Sequence, residues 1–251
     1  MKLEKIYYFR ELPFNFGSTS TPDNGDLPDK LPFALGTDLE TDKLVQIPDI
    51  QVHKALNKAY QIGSLITGYM DEDGLGRQYA DDFVTFLVSS VGLSTISSSR
   101  ILEIGCGTGY LLHRLKQMGA SVLGVEPGPQ GQIGRKKYGI EIIQDFFPMS
   151  ETFGMFDIIL QYGVLEHIEN PCLFLSSVKN HLAENGLIAV AVPSCDSYIE
   201  LGDISVLLHE HWSYFTKQTL KKQLSCQVFL FPRFKKLVLV DFGMSYPQNC
   251  R

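Results

Sequence analysis

The run Arg100-Ile-Leu-Glu-Ile-Gly-Cys-Gly-Thr-Gly-Tyr110 constrains this chain more than any other stretch. Ile101, Leu102 and Ile104 have the apolar character of a buried strand end. Gly105, Gly107 and Gly109 then turn the chain, and Tyr110 to Met118 opens an amphipathic helix. A strand, a glycine turn and a helix N-terminus leave bare backbone N–H groups around one point, where a ligand can rest. Three glycines in so short a span carry an entropic cost that a plain turn does not require. The spacing departs from the dinucleotide fingerprint, whose sixth position is small. Tyr110 stands there instead, which disfavours a nicotinamide cofactor. Glu103, just before the turn, suits a cationic group better than a pyrophosphate.

Around this run, strands and helices alternate at the short intervals expected of a parallel sheet with crossover helices. Strands are predicted at 100–104, 121–125, 140–143, 156–160 and 187–192, with helices near 109–118, 130–137 and from Pro171 to about 182. Asn170 is a fitting N-cap and Pro171 a fitting first helical residue. Asn185-Gly186 marks a turn, and 194–213 reads as a loop. A helix at 216–224 and strands near 227–231 and 237–242 complete the chain. The expected architecture is an α/β, doubly wound, Rossmann-like sheet over residues 99–251, mostly parallel with an antiparallel last strand.

Residues 1–98 read as an N-terminal arm and helical cap. Residues 1–50 are irregular in pattern, with Pro13, Pro22, Pro28, Pro32 and Pro48 breaking any helix; short strands fit 31–35 and 43–47. Helices are predicted over 51–69 and 77–90, with Tyr60, Tyr69 and Arg77 as candidates for a lid, and 94–99 as a linker. The net charge of −6 and the shortness of the basic runs argue against a nucleic-acid partner. No stretch reaches the ~18 apolar residues of a membrane span, and the start lacks a signal-peptide core. Five scattered cysteines, never paired as Cys-x-x-Cys, fit reduced thiols in a cytoplasmic protein.

Two further acids sit at strand ends. Glu126, followed by Pro127, ends the second strand, where a carboxylate accepts from ribose hydroxyls. Asp145 ends the third strand and can accept from an adenine amino group, with Phe146 as an apolar wall. With these residues in place, the chain resembles the class I S-adenosylmethionine-dependent methyltransferases. Glu103-x-Gly-x-Gly-x-Gly109 is similar to their first motif, Glu126-Pro127 to their second, and Phe156 to His167 to their fourth-strand motif. The resemblance implies S-adenosylmethionine bound by Glu103, Gly105, Cys106, Gly107, Gly109, Tyr110, Glu126, Pro127, Asp145, Phe146, Gln161 and Tyr162. It places His167 at the start of the next helix, without requiring a catalytic role.

The segment Leu208-His-Glu-His-Trp-Ser-Tyr-Phe-Thr216 is similar to one found in a group that includes sugar C-methyltransferases. Residues 31–64 also resemble that group's leader. No cysteine precedes Cys106, so the leader's zinc-binding pairs are absent and no metal is expected; the extra C-terminal domain of the long members is also expected to be missing. A weak acceptor needs a base with a near-neutral pKa. His211 or His209 is the candidate base, Glu210 the residue that orients it or binds an acceptor hydroxyl, and Tyr214 a lining residue. The expected function is methyl transfer to a small-molecule acceptor, a sugar derivative being one possibility. The alternative is a non-catalytic cofactor-binding partner subunit.

Overall fold

The computed structural model describes residues 2–14, 27–62, 70–149, 154–230 and 237–242. Three strands come first, β1 (Leu3–Pro13), β2 (Lys30–Asp38) and β3 (Lys43–Gln46), followed by helices α1 (Ile50–Ile62), α2 (Gly74–Val91) and α3 (Leu93–Ser98). Then come β4 (Arg100–Ile104), α4 (Tyr110–Gln117), β5 (Ser121–Val125), α5 (Gln130–Tyr138), β6 (Ile142–Ile143) and β7 (Phe156–Tyr162). A 3₁₀ turn at Leu165–His167 leads to α6 (Pro171–Lys179) and β8 (Leu182–Pro193). The chain continues through α7 (Asp196–Leu201), a 3₁₀ turn at Ile204–Val206, β9 (Ser213–Tyr214), α8 (Lys217–Leu230) and β10 (Leu237–Phe242).

The larger sheet has the order β10-β8-β7-β4-β5-β6, and every pairing in it is parallel. Its strands alternate between two cores, as a pleated sheet covered on both faces must. Ile101 joins Phe83, Leu87, Ile96 and Leu111 on one face, while Leu102 and Ile104 join Phe174, Leu175, Val178 and Leu220 on the other. In β8 the alanines at 189 and 191 face the first core and Ile188, Val190 and Val192 the second. Each such fully buried aliphatic side chain contributes about 1.5–3 kcal/mol. Asn170 caps α6 by accepting a hydrogen bond from the Leu173 N–H at 3.2 Å.

The last strand departs from expectation: β10 runs parallel to β8, not antiparallel. The reason lies in residues 217–230, a single helix that takes up most of the stretch predicted as a penultimate strand. With a helix rather than a hairpin between them, β8 and β10 are joined by a crossover and run the same way. Two other expectations shift. The supposed linker at 94–99 is mostly α3, and Asn185-Gly186 lies inside β8, where the pairing with β7 slips register.

In residues 1–50 the short strands expected at 31–35 and 43–47 are β2 and β3, but β1 was not expected and the region is more regular than its pattern. β1, β2 and β3 form a second, antiparallel sheet whose fourth strand is β9, from the far end of the chain. β1 shows no alternation because it is an edge strand with Ile6, Tyr7 and Tyr8 exposed. The sheet has its own packing: Phe33, Cys195, Leu207 and Tyr214 form one cluster, and Phe14, Leu27, Leu31, Val52, Leu56 and Trp212 another. Tyr69 lies outside the described residues.

One close approach positions the glycine turn. A Cβ at Gly134 of α5 would stand 1.9 Å from the Thr108 carbonyl oxygen, so the helix rests directly on the turn's backbone. Gly134→Ala must therefore push backbone aside. It should lower stability by about 1–3 kcal/mol or more in chemical denaturation; an unchanged midpoint would contradict the contact.

Candidate functional site

The carboxyl ends of β4, β5 and β7 open into one cavity of about 250 Å³. Ligands in open α/β sheets sit at such ends because the loops there diverge. Glu103, Gly105, Cys106 and Gly107 form its floor, Glu126 and Pro127 one side, Asp145 and Phe146 the outer rim, and Tyr60, Tyr162 and His167 the opposite end. Gly105 has φ +71°, and a Cβ there would meet Val164 Cγ2 at 2.6 Å, so only glycine lets the chain turn this close to the wall.

Three glutamates surround this space, each buried. Glu126 is held by the turn itself: the Gly107 N–H donates to its Oε2 at 2.8 Å, and the Gly128 N–H to Oε1 at 2.8 Å. Gln130 Nε2 adds a third bond to Oε1 at 3.0 Å. Burial pushes its pKa up, while the two backbone N–H groups pull it back. Glu103 is 3% exposed, and its Oε2 has no hydrogen-bond partner among the described residues. Burial, with the nearby Glu126, holds its carboxyl well above the usual range. Glu166 lies behind the far end, raised by burial to about 7. A carboxylate tolerates such burial only with a partner or a proton.

At the far end, the Tyr60 hydroxyl lies 3.1 Å from His167 Nδ1. His167 Nε2 stands 3.9 Å from Glu166 Oε1, and the His167 and His211 rings meet edge to face at 4.8 Å. Burial, and then His167, hold the His211 imidazole well below its ordinary pKa.

The two histidines of the His-Glu-His segment part company. His211 joins the group behind the cavity, whereas His209 is turned into the N-terminal sheet. Its ring nitrogens lie 3.1 Å from the Pro13 carbonyl and 3.2 and 3.3 Å from those of Leu31 and Pro32. The ring packs between Phe14 and Phe33, and burial lowers its pKa. His209 therefore does not reach the cavity, because three backbone acceptors claim its two nitrogens. Tyr214 is likewise committed, donating to the Leu208 carbonyl at 2.9 Å. Glu210 is 1% exposed and does not line the cavity.

Among the expected cofactor residues, Gly109, Tyr110 and Gln161 also stay out of the lining. Gly109 begins α4, and Tyr110 packs against Tyr138 at 5.9 Å in the first core. Gln161 is wholly buried, with both amide atoms lacking a partner among the described residues. The sequence reading passed over His167 as a helix start and Gln130 as an ordinary helical residue. The adjacency of Glu166 and His167 at a strand end was the available signal for the first. Arg77, a lid candidate, is exposed and pairs with Asp81 at 3.6 Å.

Comparison with known proteins bears on this geometry. The family described as a methyltransferase domain matches residues 74–226. The mitochondrial ubiquinone biosynthesis O-methyltransferase of Schizosaccharomyces pombe is 31% identical over 124 residues, 46% of this chain and 44% of that protein. The tRNA U34 carboxymethyltransferase of Haemophilus influenzae is 30% identical over 125 residues, 46% of this chain and 37% of that protein. The chain thus spans less than half the length of these curated relatives. Among solved structures, the plantazolicin methyltransferase BpumL, in complex with a monoazolic desmethylPZN analog and SAH, has a similar fold. The TM-score is 0.50 at 21% identity, over 61% of this chain and 65% of that one.

The placement of His209 yields a test. His209→Ala removes the ring N–H that these carbonyls share and empties the space between Phe14 and Phe33, and should cost about 1–3 kcal/mol in chemical denaturation. Affinity for S-adenosylhomocysteine should stay within about twofold, less than 0.5 kcal/mol; a selective loss of that affinity would put His209 back in the cavity.

Proposed function

The chain belongs to the methyltransferase-domain family, and we propose that it transfers a methyl group from S-adenosylmethionine to an oxygen of a small, hydroxylated acceptor. The observation that carries this reading is Glu103. A buried carboxylate in the cavity lining, with one oxygen that has no hydrogen-bond partner among the described residues, fits a ligand end that bears an ammonium. Glu126 keeps lone pairs for ribose hydroxyls beyond its three bonds, since an ionised carboxylate accepts about four. Asp145 and Phe146 at the rim suit the adenine. When bound, S-adenosylmethionine supplies a methyl group on a sulfonium, which is already a strong electrophile.

The protein's own share is then alignment, exclusion of water and a place for the acceptor's proton. His167 is the imidazole that lines the cavity, and it takes the role of base first assigned to His211 or His209. For His167 to accept a proton at Nε2, Nδ1 must carry the other one and donate it to the Tyr60 oxygen. Burial raises the Tyr60 pKa, so the phenol stays neutral and makes a stable partner. His211 and Glu166 support His167 from behind. Residues 1–98 serve as a cap over the strand ends of a 99–251 cofactor-binding unit, stitched to it through β9.

The net charge of −6 disfavours a nucleic-acid acceptor. Among the described residues no helix is long and apolar enough to cross a membrane. The resemblance of the His-Glu-His segment favours a sugar derivative among small acceptors.

Two outcomes are expected. Burial, with Glu126 nearby, raises the Glu103 pKa, and an ammonium beside it favours the ionised form again. Binding therefore releases a proton, and affinity for S-adenosylhomocysteine rises with pH until the free protein's Glu103 pKa is passed. Calorimetry in buffers of different ionisation enthalpy should detect the release. Glu103→Gln should reduce it and weaken binding by about 1–3 kcal/mol; identical heats in all buffers would remove Glu103 from the ammonium site. His167→Ala should lower turnover by about 10²–10⁴ with S-adenosylhomocysteine affinity retained. Product formation across hydroxylated acceptors is the measurement, and undiminished turnover would rule His167 out as the base.

A further inference from the structure

We propose that Glu166, His167 and His211 form a site for a divalent transition cation at the acceptor end of the cavity. The three side chains come from two segments, Glu166 and His167 from the 3₁₀ turn after β7 and His211 from the loop before β9. Each offers one ligand atom, and these atoms lie within 4.8 Å of one another. Groups bound to one cation at ~2.0–2.2 Å stand roughly 3–4 Å apart, so a contraction of an ångström or so closes the site.

A second observation points to a ligand here. Glu166 is 3% exposed, and its Oε2 has no hydrogen-bond partner among the described residues. An open oxygen on a buried carboxylate is costly unless a proton or a cation occupies it. His167 is already arranged as a ligand. Its Nδ1 meets the Tyr60 hydroxyl at 3.1 Å, and Nε2 is the atom beside Glu166. A hydrogen bond on the far nitrogen is how proteins fix the tautomer and direction of a metal-binding imidazole.

Two imidazoles and one carboxylate, with further positions open, make the donor set that takes Zn²⁺, Mn²⁺ or Fe²⁺. The absence of a metal was expected from the missing leader cysteines, a consideration that does not touch this cluster, whose second imidazole comes from His167. His167 borders the cavity beside Tyr60 and Tyr162, so the cation is reached from the acceptor side. With His167 Nε2 on the cation, that nitrogen no longer takes the acceptor's proton; the cation instead acidifies a bound hydroxyl and selects acceptors that present two neighbouring oxygens, such as a vicinal diol or a hydroxyl beside a carbonyl. This last point rests on the methyltransferase reading; the cation site does not.

The test uses the full chain, stripped with a chelator. It is titrated with Zn²⁺ by calorimetry and with Co²⁺ by visible absorption, and affinity for S-adenosylhomocysteine is measured on the same samples. One equivalent of Zn²⁺ per chain is expected. Glu166→Gln and His211→Ala should each weaken its binding at least about tenfold, with S-adenosylhomocysteine affinity kept. Cys172→Ser, which removes the exposed thiol, should change neither. Where circular dichroism shows a variant unfolded, His167→Gln takes its place. No Zn²⁺ uptake by the parent chain, or uptake unaltered in the ligand variants, overturns the site. Loss of S-adenosylhomocysteine binding with Zn²⁺ uptake intact instead counts against the methyltransferase reading alone.

Discussion

Glu103, Glu126 and Glu166 are buried around one cavity, and removing carboxylates from water is costly unless each finds a partner. Glu126 finds its partners in backbone: the N–H groups of Gly107 and Gly128 reach it only because the turn is tight and carries little side-chain bulk. That tightness in turn requires α5 to lie against the turn, which Gly134 permits. Glu103 and Glu166 each keep an oxygen without a protein partner. Glu103 lines the cavity beside the glycine turn, and Glu166 lies next to His167, its Oε1 3.9 Å from Nε2. The cavity is thus polarised, with one acid settled by the fold and two left for what enters.

The far wall depends on a different set of bonds. Gln46 Nε2 donates to the His209 carbonyl at 3.0 Å, and the Trp212 N–H donates to the Glu166 carbonyl at 2.7 Å. The Trp212 ring stacks on His53 of α1 at 4.7 Å between centroids. The His-Glu-His segment is therefore gripped from two sides, by the N-terminal sheet and by the turn after β7. Its middle and last residues are aimed inward as a result, while its first becomes a peg. The rigidity that places His211 comes from backbone pairing and buried aromatic rings.

What could be read from sequence was local. The strand at 100–104, the strand at 121–125 and the Asn170 cap carry their signals within a few residues, and the structure places them there. The direction of β10 was not legible, since Cys226-Gln-Val-Phe-Leu230 has the composition of a strand but continues α8. β1 escaped because an edge strand exposed on both faces has no reason to alternate. His209 and His211 are indistinguishable in sequence. Only the carbonyls of Pro13, Leu31 and Pro32, far away along the chain, separate a peg from a site residue. Nothing in the sequence around Gly134 marks it as the place where helix and turn touch.

The pairing of β3 with β9 gives the acceptor end an unusual inheritance. His209 and Leu31 stand 178 positions apart in the chain, yet they meet across a single hydrogen bond. Any exchange of segments between related proteins that splits the chain within that interval would set one parent's loop against the other's sheet. Shape, register and the peg's three acceptors would then have to match by chance. The far end of the cavity in this architecture passes on intact only when both distant pieces travel together.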